Sequence, residues 1–147
     1  MNTECILYAT ADTADATVLQ QAFLTAAIPN HFQIVSDGQE ATEYLSRTGA
    51  FTDRFRYRLP CLMLLDLNLA RKTGLETLAW LRAQPDLHCL PVIVFSIANH
   101  PLDFEKACLL GANSYVVKPG AVDEKIQFAK SIQAFWLRFN HPLSLAA

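Results

Sequence analysis

Leu62-Met63-Leu64-Leu65 is apolar at every position and then stops at a carboxylate, Asp66. A strand on an open sheet face alternates apolar and polar side chains. An unbroken apolar run is instead buried on both faces, as in a parallel sheet covered by helices on each side. Four other short runs read as strands: Cys5 to Ala9, Phe32 to Val35, Val92 to Ser96 and Ser114 to Lys118.

Helical segments with their own punctuation stand between these runs. Val18, Leu19, Ala22 and Phe23 predict a helix from about Ala14 to Ala27, broken at Pro29. Asp37 can cap a helix carrying Glu40, Ala41, Tyr44 and Leu45. Gly74 opens a third, with Leu75, Leu78, Ala79 and Leu81, that stops before Pro85. Pro101 suits the first turn of a fourth, through Phe104, Ala107, Cys108 and Leu110, with Gly111 as its C-terminal cap. The last runs from about Val122 to Phe139, with Ile126, Ala129, Ile132, Gln133 and Trp136 along one face. Strand–helix alternation with right-handed crossovers gives an α/β fold, a parallel sheet with helices on both faces. The 147 residues suit one domain, with a core from about residue 5 to 139 and a frayed tail over 140–147.

Bulk properties exclude several classes. Hydrophobic residues make up 52% of the chain, too many for a disordered one. A formal charge of -2 leaves no basic surplus for nonspecific nucleic-acid binding. No apolar run approaches a membrane span, and Met1 to Glu4 lack the pattern of a signal peptide. A cytoplasmic protein is expected, with neither nucleic acid nor membrane as partner. Cys5, Cys61, Cys89 and Cys108 form no close pair, so reduced, mostly buried thiols are expected rather than a metal or redox centre.

Ligands of an open α/β sheet bind outside the carboxyl ends of its strands. Asp66, Ser96 and Lys118 stand at three such ends. A carboxylate, a hydroxyl and an ammonium there suggest a phosphoryl-accepting site. The carboxylate attacks phosphorus, the ammonium balances charge on the transferring group, and the hydroxyl bonds one of its oxygens.

The stretches LLDLNLARKTGLETLAWLR, GANSYVVKP and VSDGQEATEYL carry a family resemblance. From about Cys5 to Phe139 the chain resembles the response-regulator receiver domain of two-component signalling. Within that family it looks like the small stand-alone receivers that work with phytochrome-type histidine kinases. The resemblance implies a flavodoxin-like (βα)5 doubly wound sheet of strand order 2-1-3-4-5. It implies that Asp66 takes a phosphoryl group from a phosphohistidine, that Ser96 bonds the phosphoryl oxygen, and that Lys118, followed by Pro119 through a cis bond, pairs with it. Ser96 and Tyr115 are then the switch residues. A magnesium ion is implied on Asp66, the backbone carbonyl of Asn68 and an acidic pair after the first strand. The implied partners are a sensor histidine kinase or phosphotransfer protein, an output protein that the sequence does not specify, and a second copy through the last helix. Such a protein is not an enzyme beyond its own phosphorylation and dephosphorylation.

The chain departs from this pattern where the acidic pair belongs, which reads Thr10-Ala11. Asp12 is one residue late; it is a candidate metal ligand, although a helix cap is its ordinary role, and Asp15 suits the first helical turn. Magnesium binding is therefore expected to be weak or absent. The alternative function is a pseudo-receiver that binds partners constitutively. Ala70 and Thr73 replace the family's usual Pro and Asp in the loop after Asp66; Thr73 can still cap. A flavodoxin-type cofactor binder fits poorly, because Thr10 to Ala14 have no Gly and include an Asp that repels phosphate.

Other features leave alternatives open. Residues 48–60 interleave Arg54, Arg56 and Arg58 with Phe55 and Tyr57, as a recognition surface, an extension of the preceding helix or an ordinary solvated loop. Asn99, His100, Leu102 and Phe104 lie near the start of the fourth helix, on the usual signalling face, with Phe104 read as core and His100 as solvent-facing rather than tuning the Asp66 site. Trp80 and Trp136 read as helix packing residues.

Overall fold

In a computed structural model describing residues 5–97 and 100–138, strands and helices alternate along the chain. They are β1 (Cys5–Ala9), α1 (Thr13–Thr25), β2 (His31–Val35), α2 (Gly38–Ser46), β3 (Pro60–Leu65), α3 (Gly74–Ala83), β4 (Val92–Ser96), α4 (Pro101–Leu109), β5 (Ser114–Val117) and α5 (Val122–Ile132). The five strands form one sheet in the order β2-β1-β3-β4-β5, and every pairing is parallel. Register brings Ala9 opposite Leu65, Leu65 opposite Val94 and Ser96 opposite Val117. The residues just beyond β1, β3, β4 and β5 therefore meet at one edge.

Alternate side chains of each strand enter opposite layers. Leu7, Met63, Leu65 and Val92 pack with Tyr44, Leu45, Leu78 and Leu81 of α2 and α3. Ile6, Tyr8, Leu64, Ile93 and Phe95 pack with Leu19, Phe23, Ala129 and Ile132 of α1 and α5. This is why β3 is apolar throughout.

Local sequence sets the helix starts. Thr73 and Glu76 form a reciprocal capping box at α3: the Thr73 hydroxyl accepts from the Glu76 N–H at 3.1 Å, and the Glu76 carboxylate from the Thr73 N–H at 3.2 Å. Asp37 caps α2, accepting from the Glu40 N–H at 2.7 Å, and pairs with Arg71 at 2.9 Å. Burial opposes ionisation of Asp37, but the Glu40 N–H and the Arg71 guanidinium outweigh it and hold its pKa below the ordinary 3.8. A folded-state pKa below the unfolded value stabilises the fold above that value, and the gain is lost as pH falls through the folded pKa. Asp37→Ala is expected to cost about 1 kcal/mol at neutral pH. In urea titrations the difference from wild type should shrink below about pH 4; an unchanged gap there would mean that the carboxylate charge is irrelevant.

Several expectations are corrected. α1 ends at Thr25, short of Ala27, which takes a left-handed φ of 59° as the chain turns towards β2. β5 ends at Val117, so Lys118 lies just past it. α5 is regular only to Ile132 and continues as a wider π turn over Gln133–Leu137; Phe139 and the tail 140–147 lie outside the described residues. Asn99 lies outside them as well. Phe104 is not core: it is 51% exposed and its ring meets Tyr115 at 5.6 Å, because α4 carries only Ala107 as a buried residue. Only Cys5 is fully buried among the four free cysteines, and Cys108 is exposed. No cis peptide bond occurs among the described residues, so Lys118 joins Pro119 in trans.

His100 faces solvent, as expected. Trp80 and Trp136 pack at the margins of the two layers. The arginine–aromatic loop divides: Tyr57 and Phe51 stack edgewise on Tyr44, and the Tyr44 hydroxyl donates to the Arg58 carbonyl at 2.7 Å. Phe55, by contrast, is 94% exposed.

Candidate functional site

Asp66 is delivered by the burial of β3 and tied to the neighbouring strand end by its N–H, which donates to the Ala9 carbonyl at 3.0 Å. Its side chain is only 11% exposed. Oδ2 accepts from the Lys118 ammonium at 2.9 Å and from the Thr10 hydroxyl at 3.2 Å. Oδ1 accepts from the Asn68 N–H at 3.1 Å. Three donors thus fix the orientation of the carboxylate.

Lys118 reaches it from beyond β5 with its side chain 5% exposed. Its Nζ also lies 3.2 Å from Asp15 Oδ2. The same oxygen of Asp15 accepts from the Tyr8 hydroxyl at 2.7 Å. The ammonium further stands 5.5 Å from the Tyr8 ring centroid and 5.6 Å from that of Phe95. Burial and the Asp15 carboxylate push the Tyr8 hydroxyl far above its ordinary pKa, so it remains a proton donor.

Asp66 and Lys118 border a cleft of about 560 Å³ lined also by Asp12, Asn68, Ser96 and Asp103. Ser96 thus shares the cleft with Asp66 and Lys118, and its carbonyl accepts from the Lys118 N–H at 2.6 Å. Tyr115 is half-buried on β5, against Phe104 rather than in either core layer. Sequence reasoning brought Asp66, Ser96 and Lys118 together but missed three partners. Asp15 was assigned to the helix dipole, Tyr8 to the strand and Asp103 to no role. A buried tyrosine needs a partner for its hydroxyl, which was the available signal for Tyr8 and Asp15.

Lys125 of α5 is a second support that the sequence reading passed over. Buried, it donates to the carbonyls of Pro119 at 2.7 Å and Gly120 at 3.1 Å, fixing the loop that carries Lys118. Lys125→Met is expected to lose about 2 kcal/mol in urea unfolding. A cost within experimental error would show that the loop holds its shape without it.

The oxygens needed for a magnesium-type ion are not assembled. Thr10 is fully buried and gives its hydroxyl proton to Asp66, while Ala11 has no donor. Asp12 faces solvent and caps α1, accepting from the Asp15 N–H at 2.9 Å. Among the described residues no three His, Cys, Asp or Glu side chains gather as a metal site. With Asp15 Oδ2 already engaged by the Lys118 ammonium and the Tyr8 hydroxyl, Asp66 and the Asn68 backbone alone fall short of what such a hard cation requires of a protein. The residues present do not fit the metal.

A parallel sheet of this order, with its polar cluster outside the carboxyl ends of the strands, defines the class as flavodoxin-like. The profile of the response regulator receiver domain matches residues 11–130. The chain is 32% identical over 124 residues to response regulator Rcp1 of Synechocystis sp., covering 84% of this chain and 82% of that one. The structure of the phosphorylated cyanobacterial phytochrome response regulator RcpA superposes with a TM-score of 0.88 at 31% identity, covering 97% of this chain and all of that one, 100%. The Mn(2+)-bound form of Rcp1 superposes with a TM-score of 0.84 at 29% identity, over 96% of this chain and 99% of that one. The chain belongs to the response regulator receiver domain family, and its fold is flavodoxin-like. It is a signalling module of phosphorelay type. No helix among the described residues is long and apolar enough to cross a membrane.

Proposed function

We propose that Asp66 is the phosphoacceptor of a response regulator that works in the cytoplasm as one domain over residues 1–147, receiving from a histidine kinase or phosphotransfer protein and signalling by protein contact. The observation that carries this reading is the Lys118–Asp66 ion pair at 2.9 Å, at the mouth of a cleft that Ser96 also lines. One Asp66 oxygen attacks phosphorus opposite the P–N bond of a phosphohistidine. The P–O bond forms as the P–N bond breaks, and the electron pair goes to the imidazole nitrogen, which takes up a proton. Lys118 and the Thr10 hydroxyl then face the phosphoryl oxygens, and Ser96 supplies a further donor. A contact made only to the phosphorylated state shifts the population towards it. Tyr115, beside the exposed Phe104, lies where such a shift is read by a partner. Asp66, Ser96 and Lys118 are the working residues, with Ser96 and Tyr115 as the switch.

The test is intact mass after incubation with acetyl phosphate and with phosphoramidate. One added phosphoryl mass is expected in wild type and none in Asp66→Asn. A second reading, a constitutive binding module, is favoured by Thr10-Ala11 and by the capping role of Asp12. No adduct with either donor would select it.

A further inference from the structure

We propose that Lys118 is a built-in cation that takes the place of a divalent metal in this pocket, with Asp15 and Tyr8 as the positioning residues that keep it there. This inference rests on the geometry of the site, independently of whether Asp66 accepts a phosphoryl group.

The surroundings of Nζ are those of a cation site. Two carboxylate oxygens lie at 2.9 and 3.2 Å, one from Asp66 and one from Asp15. Two aromatic rings, Tyr8 and Phe95, stand within 5.6 Å. A buried ammonium is costly unless charge and hydrogen bonds compensate it, and here both do. Asp15 comes from the first turn of α1, beyond the positions where the acidic pair is missing. It is fixed from behind by the Tyr8 hydroxyl at 2.7 Å, so swinging to solvent would cost the buried phenol the acceptor of its proton. Thr10 completes the substitution. Where a carboxylate would attract a metal, a buried hydroxyl donates to Asp66 at 3.2 Å and occupies the same Oδ2. Two carboxylates and one ammonium leave the cluster with one negative charge, and the cation is covalently tethered.

Two consequences separate this arrangement from a merely weakened metal site. Wild type should be indifferent to divalent cations, since Nζ blocks the position between the carboxylates. Removing the ammonium should create a metal site, since the two carboxylates remain with no counterion between them.

The experiment is titration of the folded protein with Mn2+, bound ion being counted by loss of the free-ion EPR signal and checked by thermal shift with Mg2+. Wild type is expected to bind neither ion at millimolar concentration. Lys118→Ala is expected to take up Mn2+ stoichiometrically, and Lys118→Ala/Asp15→Asn to lose that uptake, while Lys118→Ala/Asp15→Glu retains it. Should Lys118→Ala fail to fold, Lys118→Gln is read in its place. Mn2+ uptake by wild type overturns the proposal, as does a folded lysine variant that stays silent. Failure of the phosphodonor assay alone leaves it standing, so the two readings fail separately.

Discussion

Lys118→Met is expected to slow phosphoryl uptake at Asp66 by roughly 10²–10³-fold, the usual cost of losing one preorganised charge-stabilising donor. The ammonium lies 2.9 Å from the Asp66 carboxylate and is 5% exposed, so it acts with little screening by water. Among the described residues no three His, Cys, Asp or Glu side chains gather to hold a metal, so in the proposed reaction Lys118 is the principal positive charge beside Asp66. Methionine keeps the length of the side chain and its packing against Tyr8 and Phe95. The measurement is single-turnover mass spectrometry in chelator-treated buffer, with near-ultraviolet circular dichroism as the check on folding. A rate within twofold of wild type would remove Lys118 from the chemistry and leave it a purely structural role.

Gly74→Ala is expected to be among the most damaging single-methyl additions in this chain, costing about 3 kcal/mol. A Cβ at this position would meet the Asp66 carbonyl oxygen, and the Leu67 Cα at 2.5 Å. Both are backbone atoms of the loop that carries the candidate phosphoacceptor, so a flexible side chain cannot absorb the clash. The Gly74 N–H also donates to the Leu67 carbonyl at 3.1 Å, which pins the start of α3 to that loop. Either the fold loses stability or the Asp66 turn moves. Chemical denaturation would show the first. A loss of phosphoryl uptake in a stably folded variant would show the second. A variant that is both stable and active would mean that the loop yields at little cost.

The two glycines beside helix starts show how unevenly sequence reveals structure. Gly74 was legible as the opening of a helix, because Thr73 and Glu76 surround it with a capping pattern. Its close approach to Asp66 was not legible, since that depends on how α3 docks on the sheet edge. Gly38 is similar: Asp37 announces the cap, but only the fold shows that a Cβ there would collide with the Lys72 carbonyl. Phe104 marks the opposite failure. Its helical spacing implied burial, yet α4 packs so lightly that the ring stays half outside, against Tyr115.

The sequence by itself determined the sheet, the two helical layers and the placement of Asp66, Ser96 and Lys118 near strand ends. Apolar runs, helix caps and breaks are written in residues only a few positions apart, so local patterns carry them. Register and helix docking decided the rest. Thr10 and Asp66 are separated by 56 positions and Lys118 and Asp66 by 52, and their contacts exist because parallel strands end at one edge. The bond from Tyr8 to Asp15, at 2.7 Å, depends on the phase with which α1 leaves β1 and packs beside α5. Phase and register are properties of the packed core. Tertiary structure alone therefore joined a strand tyrosine, a helix aspartate and a loop lysine into one charged cluster.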